Sequence, residues 1–492
     1  MVNGNLAYKL NDASGEEVVV NEAPLKWCSV TLSDVIAHGK RLEASSYDVD
    51  SKRAIYIIKQ CKYGSESLMS QDGLVETAHH APRFKRNYVS KSHPNSVGFL
   101  GSSEMLEVKP KAEKYITKDL ADKLDLFADK NTVLMSCSGT IGRISYVTTG
   151  LSSYALSQHI IRIICKEYSG YIYTCLSHKL MQKQIQALIY GAVIQEIEPE
   201  HLKAVIIPNA PSIIKQKIHT LITESYRLRD ESNELIDEAT RLLIEELQLP
   251  SVEELNPISK STPVETFSVK LSQMAGRADA SYHVPIVDEI IEHLKKHAEE
   301  LTVVGDKRIS KNIVLAGVFK RTYVEEEYGY PFLGGKEITQ LNPKTEKYLS
   351  KPIHKSRYEK ELKVSENTIL VTDRGTIGTT TLVPKHWNGY AVSQNVLKLI
   401  PASNDIAGYT YIFLSSDYGR ALLRRQTYGS VVDMIDNHSL ASVEIPLLKS
   451  KEIQSKINAL ALQANQKRYE AYLLEQRALK VMDDEVIYAK KF

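Results

Sequence analysis

Two copies of a short motif in this sequence combine cations with aromatic rings. The first is FKRNYV, which begins at Phe84, and the second is FKRTYV, which begins at Phe319. Lysine and arginine neutralise phosphates, and the rings of phenylalanine and tyrosine stack against sugars or bases. The motif therefore indicates nucleic-acid contact, although a strand with inward Phe and Val and solvated cations explains it equally well. The candidate residues are Lys85, Arg86, Tyr88, Lys320, Arg321 and Tyr323.

The residues around the two motifs differ. His80 and Arg83 precede the first copy and are further candidates for DNA contact, whereas the second copy runs on into the acidic segment EEEYGY. We therefore expect the two copies to recognise different targets. His79 and His80 also suggest metal ligands, but no second ligand pair stands at a suitable spacing, so we predict no metal site.

A second repeated motif contains two glycines, which suit a tight reversal between strands. It reads NTVLMSCSGTIGR from Asn131 and NTILVTDRGTIGT from Asn367, which is 236 residues later. Backbone N–H groups beside Thr140 and Thr376 could approach a phosphate, while a purely structural hairpin is the simpler interpretation. Both threonines are kept as candidates for DNA contact.

The polar residues of this motif change between the copies while its glycines do not. Ser138 of the first copy corresponds to Arg374 of the second, and Arg143 corresponds to Thr379. An arginine at such a loop can donate two hydrogen bonds to guanine, which gives about 1 to 3 kcal/mol of discrimination between bases. Arg143 and Arg374 are therefore candidates for contact with DNA.

A Ser-Gln pair also recurs, at Ser157-Gln158 and at Ser393-Gln394, again 236 residues apart. Both pairs lie beside apolar residues that predict strands. Hydrogen bonding of buried polar groups explains such a pair as well as adenine recognition does. Both interpretations stay open.

The usual catalytic motifs are missing from the sequence. It contains no GxGxxG after a strand, no GxxxxGK[ST] loop, no GxSxG elbow, no HExxH, and no Asn/Asp-Pro-Pro-aromatic tetrapeptide of amino-methyltransferases. A nuclease site could be assembled from Glu107, Lys109 and Lys111, but Gln340 and Asn342 stand opposite the first two in the second copy. The chain is therefore predicted to bind rather than to catalyse, with no cofactor of its own.

The elements that must position these candidates are themselves repeated. GKRLEASSY at Gly39 corresponds to GRADASY at Gly276, YALSQHIIR to YAVSQNVLK, and YGAVIQEI at Tyr190 to YGSVVDMI at Tyr428. Between them, short runs such as NTVLM and HIIRII are separated by Gly, Asn, Asp and Ser, which is typical of strands. Helical spacing of apolar residues intervenes, for example over Tyr171 to Tyr190. One mixed α/β folding unit is therefore used twice.

Each copy continues into a long helix whose apolar and small residues form a heptad seam. At about 1.5 Å per residue each helix would extend roughly 45 Å, so we interpret it as a spacer. The simplest partner for each helix is the other one. The predicted seam contains Ile214, Ile218, Leu221, Leu228, Leu235 and Leu242 in the first helix and Ile453, Ile457, Leu460, Leu474 and Val481 in the second. Lys467 is the one seam position that is neither apolar nor small.

Composition and charge limit the class of protein. Of the 492 residues, 43% are hydrophobic and 25% are charged, as in an ordinary globular protein. The net charge of +2 argues against indiscriminate binding of polyanions, so DNA contact would depend on local basic faces. The five cysteines include no C-x-x-C pair, and we find no apolar leader or membrane span. These features predict a reduced, cytoplasmic protein without structural zinc.

The repeated motifs together resemble those of the specificity (S) subunit of type I restriction-modification systems. The similar blocks are SGTIGR, YALSQHI, YGAVIQEI with the following IIP, and KQKI, and both copies match over roughly residues 39 to 482. The Pro-Pro and Glu that usually follow the final strand of this family appear here as PNAPSIIKQKI and PLLKSKEIQSKI.

The resemblance implies a function as well as a fold. It implies two target-recognition domains related by a pseudo-twofold axis, with the two long helices packed antiparallel as a coiled coil between them. Each domain would recognise one half of a split, asymmetric double-stranded DNA site. Two methyltransferase subunits would bind S-adenosylmethionine and methylate adenine, and motor-nuclease subunits would cut DNA in defence against phage. This chain would have no activity alone and no contact with a membrane.

Motifs and helices together predict six segments along the chain. They are an N-terminal arm at 1–38, target-recognition domain 1 at 39–210, a central spacer helix at 211–249, a linker at 250–275, target-recognition domain 2 at 276–448 and a C-terminal spacer helix at 449–492.

Three other functions are consistent with parts of this pattern. The chain could serve a type IIB-like enzyme, in which one partner both cuts and methylates, and the sequence does not separate this from the type I assignment. It could be a nuclease that uses Glu107, or a coiled-coil scaffold that binds proteins and no DNA. Metal-dependent cleavage by the pure chain would indicate the nuclease, and weak, sequence-independent, steeply salt-sensitive binding would indicate the scaffold.

Overall fold

The computed structural model describes residues 7–11, 17–21, 27–37, 40–191, 195–251, 254, 267–274, 276–343, 347–429 and 432–489. The chain divides into two compact units. The first unit comprises Met1–Asp230 and Leu473–Phe492, and the second comprises Glu231–Tyr472. Gly39 and most of the predicted linker at 250–275 lie outside the described residues, so the six predicted segment boundaries stay predictions.

The first unit contains helices and short strands in alternation. Its helices are α1 (Leu32–Ala37), α2 (Val49–Lys59), α3 (Lys118–Lys123), α4 (Ser169–Ser177), α5 (Lys179–Ala187) and the first part of α6 (Ser212–Glu246). Its strands are β1 (Ala7–Asn11), β2 (Glu17–Asn21), β3 (Trp27–Cys28), β4 (Ser65–Ser67), β5 (Val75–His80), β6 (Ser96–Leu100), β7 (Lys114–Thr117), β8 (Val133–Ser136), β9 (Ile144–Tyr146), β10 (Ala155–Leu156), β11 (Ile160–Cys165) and β12 (Ile206–Pro208).

The second unit repeats this arrangement. Its helices are the last part of α6, α7 (Pro285–His297), α8 (Lys351–Arg357), α9 (Asn404–Ser415), α10 (Asp417–Arg425), α11 (Asn437–Ala441) and α12 (Lys451–Val481), whose residues from Leu473 belong to the first unit. Its strands are β13 (Glu300–Val303), β14 (Ser310–Val314), β15 (Tyr323–Val324), β16 (Gly329–Leu333), β17 (Tyr348–Ser350), β18 (Ile369–Thr372), β19 (Thr380–Leu382), β20 (Ala391–Val392), β21 (Val396–Pro401) and β22 (Glu444–Leu447).

Each unit contains a four-stranded antiparallel sheet, and the two sheets have equivalent strand orders. The order is β5-β11-β8-β9 in the first unit and β14-β21-β18-β19 in the second. Ile160 pairs with Ser136, and Val396 pairs with Thr372, so the register agrees as well as the order. The central strands are mainly Val, Ile and Leu and are largely buried on both faces, so they form the core of each unit, with the buried cations Arg162 and Lys398 at equivalent positions in β11 and β21. The predicted mixed α/β fold with an internal repeat is therefore confirmed.

A second sheet in each unit joins two of the repeated motifs, with three strands in the first unit and four in the second. The pairing of β6 with β10 sets Phe99 opposite Ala155, and the pairing of β16 with β20 sets Phe332 opposite Ala391. These parallel contacts bring the segment after each FKR motif against the segment that leads to each Ser-Gln pair. Sequence positions more than fifty residues apart thus become neighbours.

The arginine near the start of each copy ties that segment to the end of a helix. Arg41 donates hydrogen bonds to the carbonyl oxygens of Leu188 at 3.2 Å and Ile189 at 2.8 Å. Arg277 donates in the same way to the carbonyl oxygen of Thr427. Both acceptors lie just before the YG block, so the repeated arginine positions that block in each unit.

Within the predicted N-terminal arm, the described residues form secondary structure. Strands β1, β2 and β3 pair into an antiparallel sheet, in which Tyr8 lies opposite Val20. Helix α1 follows, and its Asp34 is fully buried beside the ammonium group of Lys52 at 2.6 Å. Among the described residues, no helix has both the length and the apolar character needed to cross a lipid bilayer.

The buried stripe of the two long helices differs from the predicted seam at alternate positions. At these positions of α6 the buried residues are Ile222, Ile236 and Leu243, while the predicted Leu221, Leu235 and Leu242 are half-buried. The two sets form adjacent lines with the same spacing of seven residues, and both are largely apolar. The heptad pattern alone cannot choose between them, since a straight helix drifts by about 20° per heptad.

The second long helix shows the same displacement by one residue. In α12 the buried residues next to the predicted seam are Ala461, Arg468 and Glu475, whereas the predicted Leu460 and Leu474 are half-buried. Predicted seam residues that the structure buries are Ile214, Ile218, Leu228, Ile457 and Val481, and Ile453 is half-buried. Lys467, the exception in the predicted seam, is half-buried and forms an ion pair with Glu231 at 2.6 Å.

Two arginines occupy the buried stripe. Arg229 of α6 forms a buried ion pair with Glu475 of α12, and the hydroxyl of Tyr173 donates to the same carboxylate at 2.9 Å. Arg468 of α12 lies 3.4 Å from the hydroxyl oxygen of Ser232. Because one residue of each pair comes from each long helix, the helices pack against one another within each unit.

Candidate nucleic-acid interface

The arginine of each FKR motif lies against the glutamine of the Ser-Gln pair. Nη2 of Arg86 donates to Oε1 of Gln158 at 3.0 Å, and Nη2 of Arg321 donates to Oε1 of Gln394 at 2.8 Å. All four side chains are half-buried. The sequence did not predict this contact, because its partners are separated by 72 residues in one unit and 73 in the other.

Aromatic rings hold the same arginines from the other side. The guanidinium carbon of Arg86 lies 5.6 Å from the ring centre of Phe99, and that of Arg321 lies 5.3 Å from Phe332. Tyr88 packs against Phe99 in turn, with its ring centre 6.4 Å away. A cation over an aromatic face is attracted to the ring. The guanidinium planes are therefore fixed rather than freely solvated.

The lysine and the tyrosine of each motif face solvent, whereas Phe84 and Phe319 pack against hydrophobic clusters. Lys85 and Lys320 are exposed, and so are the rings of Tyr88 and Tyr323. Only the last residues of the motif take part in strand pairing, at Val89 and in β15. The residues proposed to contact phosphate and bases are thus accessible, whereas the arginine has a second role in fixing the Ser-Gln pair.

The backbone of the Ser-Gln turn is the same in both units. Ser157 donates its backbone N–H to Leu100 at 3.0 Å, and Ile160 donates to the carbonyl of Ser157 at 3.2 Å. The equivalent bonds of the second unit run from Ser393 to Leu333 at 2.8 Å and from Val396 to Ser393 at 3.1 Å. The buried serines therefore have a structural role, and the glutamines project from a turn of fixed shape.

The GTIG motif forms a loop that is closed by its own hydrogen bonds. Gly139 and Gly142 have φ of 75° and 80°, and Gly375 and Gly378 have φ of 75° and 79°, a region that glycine adopts without strain. The hydroxyl of Ser136 accepts from the N–H of Arg143 at 2.9 Å.

The second unit closes its loop in the same way, with Thr372 accepting from the N–H of Thr379 at 3.1 Å. Thr140 and Thr376 are exposed at the tips of the two loops, and Arg143 is half-buried. Backbone N–H groups on the far side of each loop are used within it, so the structural interpretation accounts for that half of the motif. The exposed threonines keep their place as candidates for DNA contact.

Beside the GTIG loop of the second unit lies a buried carboxylate that holds an arginine. Asp373 is fully buried, and its Oδ2 accepts from Nε and Nη2 of Arg374 at 3.1 and 3.0 Å. Its Oδ1 has no hydrogen-bond partner among the described residues. Burial raises the pKa of Asp373, and the charge of Arg374 only partly opposes this. The side chain of Arg374 is itself more than one-third exposed.

The first unit has different chemistry at this position. The hydroxyl oxygen of Ser138 lies 2.7 Å from Nδ1 of His159, and Cys137 stands where the second unit has Asp373. Burial raises the pKa of the Cys137 thiol to about 12, so the thiol stays neutral. Burial and the nearby Arg86 lower the pKa of His159, which favours a neutral imidazole. At this position the second unit thus has a cation, whereas the first unit has neutral hydrogen-bonding groups.

An acid–base cluster adjoins the loop of the first unit. Nε2 of His80 lies 2.9 Å from a carboxylate oxygen of Glu198, and the hydroxyl of Tyr190 donates to the other oxygen at 2.9 Å. Arg83 forms a longer ion pair with Glu196 at 3.6 Å. These acidic residues belong to the YGAVIQEI block and the residues that follow, and nothing in that local sequence indicates that they join the site.

The counterpart in the second unit is simpler. Leu315 corresponds to His80, as Phe319 corresponds to Phe84. Tyr428 donates to Asp436 at 3.3 Å. Burial opposes ionisation of Asp436, but hydrogen bonds from Ser439 and Tyr428 lower its pKa, and His438 contributes only the smaller effect of its nearby charge. Parts of both YG blocks, residues 192–194 and 430–431, lie outside the described ranges.

Both ring nitrogens of His80 face acceptors, which favours the charged imidazolium. Nδ1 lies 3.0 Å from the carbonyl of Ala81, and Nε2 faces Glu198. Burial alone would lower the pKa of His80, but the carbonyl and the carboxylate outweigh it and raise the pKa above 6.5. Burial likewise opposes ionisation of Glu198, but the bonds from His80 and Tyr190 lower its pKa.

Replacing His80 with glutamine should therefore remove a pH-dependent part of the first unit's stability. The histidine contribution is complete below its unfolded pKa of about 6.5 and is lost as pH rises through the higher folded value. The Glu198 contribution is complete above its unfolded pKa and is lost as pH falls through the lower folded value. Urea midpoints of wild type and His80→Gln should therefore converge as pH rises above about 6.5. A difference between the two proteins that is constant from pH 5 to 8 would contradict this account.

Within the described residues, no three His, Cys, Asp or Glu side chains are placed to hold a metal ion. The alternative nuclease site at Glu107, Lys109 and Lys111 lies on a half-buried to exposed segment before β7. The site that the structure does assemble is polar and hydrogen-bonding, and its residues suit binding.

Comparison with protein families matches most of the chain to one family model. Residues 74–240 and 316–464 each match the type I restriction modification DNA specificity domain. A comparison with curated proteins finds no match.

Several solved structures are also similar to the chain. The type I restriction-modification S subunit from M. genitalium is 14% identical, with a TM-score of 0.31 over 85% of this chain and 93% of that one. The HsdS subunit from Thermoanaerobacter tengcongensis is 13% identical, with a TM-score of 0.27 over 86% of this chain and 100% of that one. A chain from a study of complex assembly and conformational transition of the type I R-M system is 12% identical, with a TM-score of 0.27 over 85% and 100%.

Proposed function

Because the chain belongs to the family of type I restriction-modification DNA specificity subunits, with two copies of the specificity domain, we propose that it recognises a bipartite, asymmetric DNA sequence. Each unit would recognise one half-site. The chain would act in the cytoplasm as the specificity subunit of a restriction-modification complex.

The observation that carries this proposal is one scaffold bearing two different sets of polar side chains. Strand order, register, the GTIG loop and the Arg–Gln contact agree between the units. At equivalent positions beside the loop, however, Ser138 stands in one unit and Arg374 in the other. Direct recognition of bases depends on the donors and acceptors presented to the groove, so two such surfaces would prefer two different sequences.

Charge distribution supports specific rather than general DNA binding. The net charge of the chain is only +2, so a large non-specific affinity is not expected. The exposed cations Lys85 and Lys320 stand beside the fixed arginines in the two units. We therefore assign phosphate contact to these lysines and base contact to the neighbouring turns and loops.

Partner subunits would supply the chemistry. We propose that two methyltransferase subunits bind S-adenosylmethionine and methylate the DNA, and that motor-nuclease subunits cleave it. The long helices α6 and α12 would set the separation of the two half-sites. The present chain would contribute DNA contacts and no catalytic group.

Selection from random duplex DNA tests the proposal. The full chain should be purified with its modification subunit, and bound duplexes should be sequenced. Recovery of two short motifs at a fixed separation is expected, with specific binding at least about 1,000-fold tighter than non-specific binding. A single motif would mean that one unit no longer recognises DNA. The absence of any enriched sequence would refute the function and favour the scaffold.

A further inference from the structure

The Arg–Gln contact is preserved between the two units although its polar neighbours are not. Gln158 is followed by His159, while Gln394 is followed by Asn395. On the other side, the loop residue next to the turn is Ser138 in one unit and Arg374 in the other. A group that is fixed in the same way on two surfaces of different specificity suits a feature that both half-sites share.

The arginines bring the two amides into equivalent orientations. Each Oε1 accepts from Nη2 of its arginine, at 3.0 Å in the first unit and 2.8 Å in the second. Each guanidinium is held in turn over a phenylalanine ring. Because the turn backbone also has the same hydrogen bonds in both units, each glutamine projects from its sheet in the same way.

The bound amides keep hydrogen-bonding capacity for a ligand. An amide oxygen has two lone pairs, so each Oε1 can accept a second bond beside the one from arginine. Nε2 of Gln394 has no partner among the described residues. Nε2 of Gln158 lies 3.4 Å from Nε2 of His159, which uses at most one of its two N–H groups. Each unit therefore presents an acceptor and a donor side by side.

An adjacent acceptor and donor complement one base edge in the major groove. Adenine presents its N6 amino group as donor and N7 as acceptor, and glutamine can bind both at once. A phosphate offers only acceptors and would leave the amide oxygen without a donor from DNA. The chemistry of the amide therefore favours adenine over the backbone.

We propose that Gln158 and Gln394 each bind the N6/N7 edge of an adenine at the equivalent position of the two half-sites. Arg86 and Arg321 act as positioning residues that hold the amides. This inference rests on the proposed function and extends it by naming a base that the half-sites have in common. The differing residues beside the turns would recognise the bases that distinguish the half-sites.

Gln158→Glu and Gln394→Glu are the most informative variants. Glutamate keeps an acceptor for the arginine but has no Nε2 donor for N7 of adenine. In selections with the purified complex, Gln158→Glu should lower the preference for adenine by roughly 5- to 150-fold in one half-site only. Gln394→Glu should do the same in the other half-site. Each glutamate also adds a negative charge near the DNA, which should weaken binding to all sequences and make the salt slope shallower, so the readout is the relative preference among bases. The urea midpoint should not fall, because the carboxylate still accepts from the arginine.

A modified base tests the same contact without changing the protein. Replacing that adenine by 7-deazaadenine removes the N7 acceptor, so wild type should lose affinity while Gln158→Glu should lose little more. Unchanged adenine preference in both variants would show that the Arg–Gln contact only braces two loops. Weakening to the same extent on all sequences would show only the effect of the added charge, without a contact between the amide and adenine. Both results would overturn the inference.

The control selection with wild type distinguishes failure of this inference from failure of the proposed function. Two enriched motifs without an adenine at equivalent positions would overturn this inference and leave the proposed function standing. No enriched motif at all would overturn the proposed function and the inference with it.

Discussion

Replacing Glu475 with alanine is expected to destabilise the first unit by about 3 to 5 kcal/mol, because it leaves a buried arginine without its carboxylate. Glu475 is 3% exposed, and it accepts hydrogen bonds from both Arg229 and Tyr173. Desolvating a charge is costly, and the loss of its partner makes that cost uncompensated. Urea unfolding of the full chain, with hydrogen exchange of the amides in α4 and α6, would measure the effect.

Two further variants separate charge burial from packing. The double variant Arg229→Leu with Glu475→Leu should recover most of the stability, since an apolar pair replaces the buried ion pair. The exposed pair of Arg227 and Glu224, 2.5 Å apart on the same helix, is the matched control. Glu224→Ala should have no measurable effect, because water and salt screen that pair. A Glu475→Ala variant as stable as Glu224→Ala would contradict the role assigned to the buried pair.

The second large effect is expected at Arg374, where alanine should relax base preference at one position of one half-site. A bidentate contact with guanine contributes about 1 to 3 kcal/mol of discrimination, so that preference should fall roughly 5- to 150-fold. The half-site recognised by the first unit should be unaffected. Selection with the variant complex, compared position by position with wild type, measures both halves in one experiment.

The variant Asp373→Asn keeps Arg374 but removes the carboxylate that orients it, so it tests whether base discrimination depends on that orientation. Because the folded pKa of Asp373 is raised, its ionised form destabilises the unit at neutral pH, and this is relieved as pH falls through the folded value. The asparagine variant should therefore be at least as stable as wild type at pH 7 and yet discriminate less well. Ser138→Ala is the matched control in the first unit and should alter only the other half-site. Equal changes in both halves after Arg374→Ala would refute the assignment.

The sequence was sufficient for the repeat and for much of the scaffold. Corresponding motifs of the two copies, such as NTVLM and NTILV, lie 236 residues apart. This constant offset indicated that the same strand order would occur twice. The glycines of GTIG required a left-handed turn, which the structure shows at Gly139 and Gly375. Local patterns predict such features because the backbone at these positions depends on the residues themselves.

Contacts between distant segments could not be predicted in this way. The sequence around Arg86 does not indicate that its guanidinium binds Gln158. The two residues become neighbours only through the pairing of β6 with β10. Glu196 and Glu198 could not be predicted as part of the site for the same reason, since their contacts with Arg83 and His80 join distant segments. The sequence of each long helix contains two adjacent, largely apolar lines. Tertiary packing determines which of them is buried, so the helix sequence alone did not predict it.

The buried arginines of the long helices also bear on the history of the gene. Arg229 and Arg468 are 239 residues apart and are equivalent, but the residue equivalent to Glu475 is Ile236. The helices therefore descend from a duplication whose two products have since become complementary rather than identical. A recombination that exchanges one globular unit and keeps both helices preserves the pairing of Arg229 with Glu475. A recombination that also replaces the helix, and so puts isoleucine in place of Glu475, would leave Arg229 facing an apolar side chain. Recombination that changes specificity and keeps the protein stable should therefore have its breakpoints outside the helices.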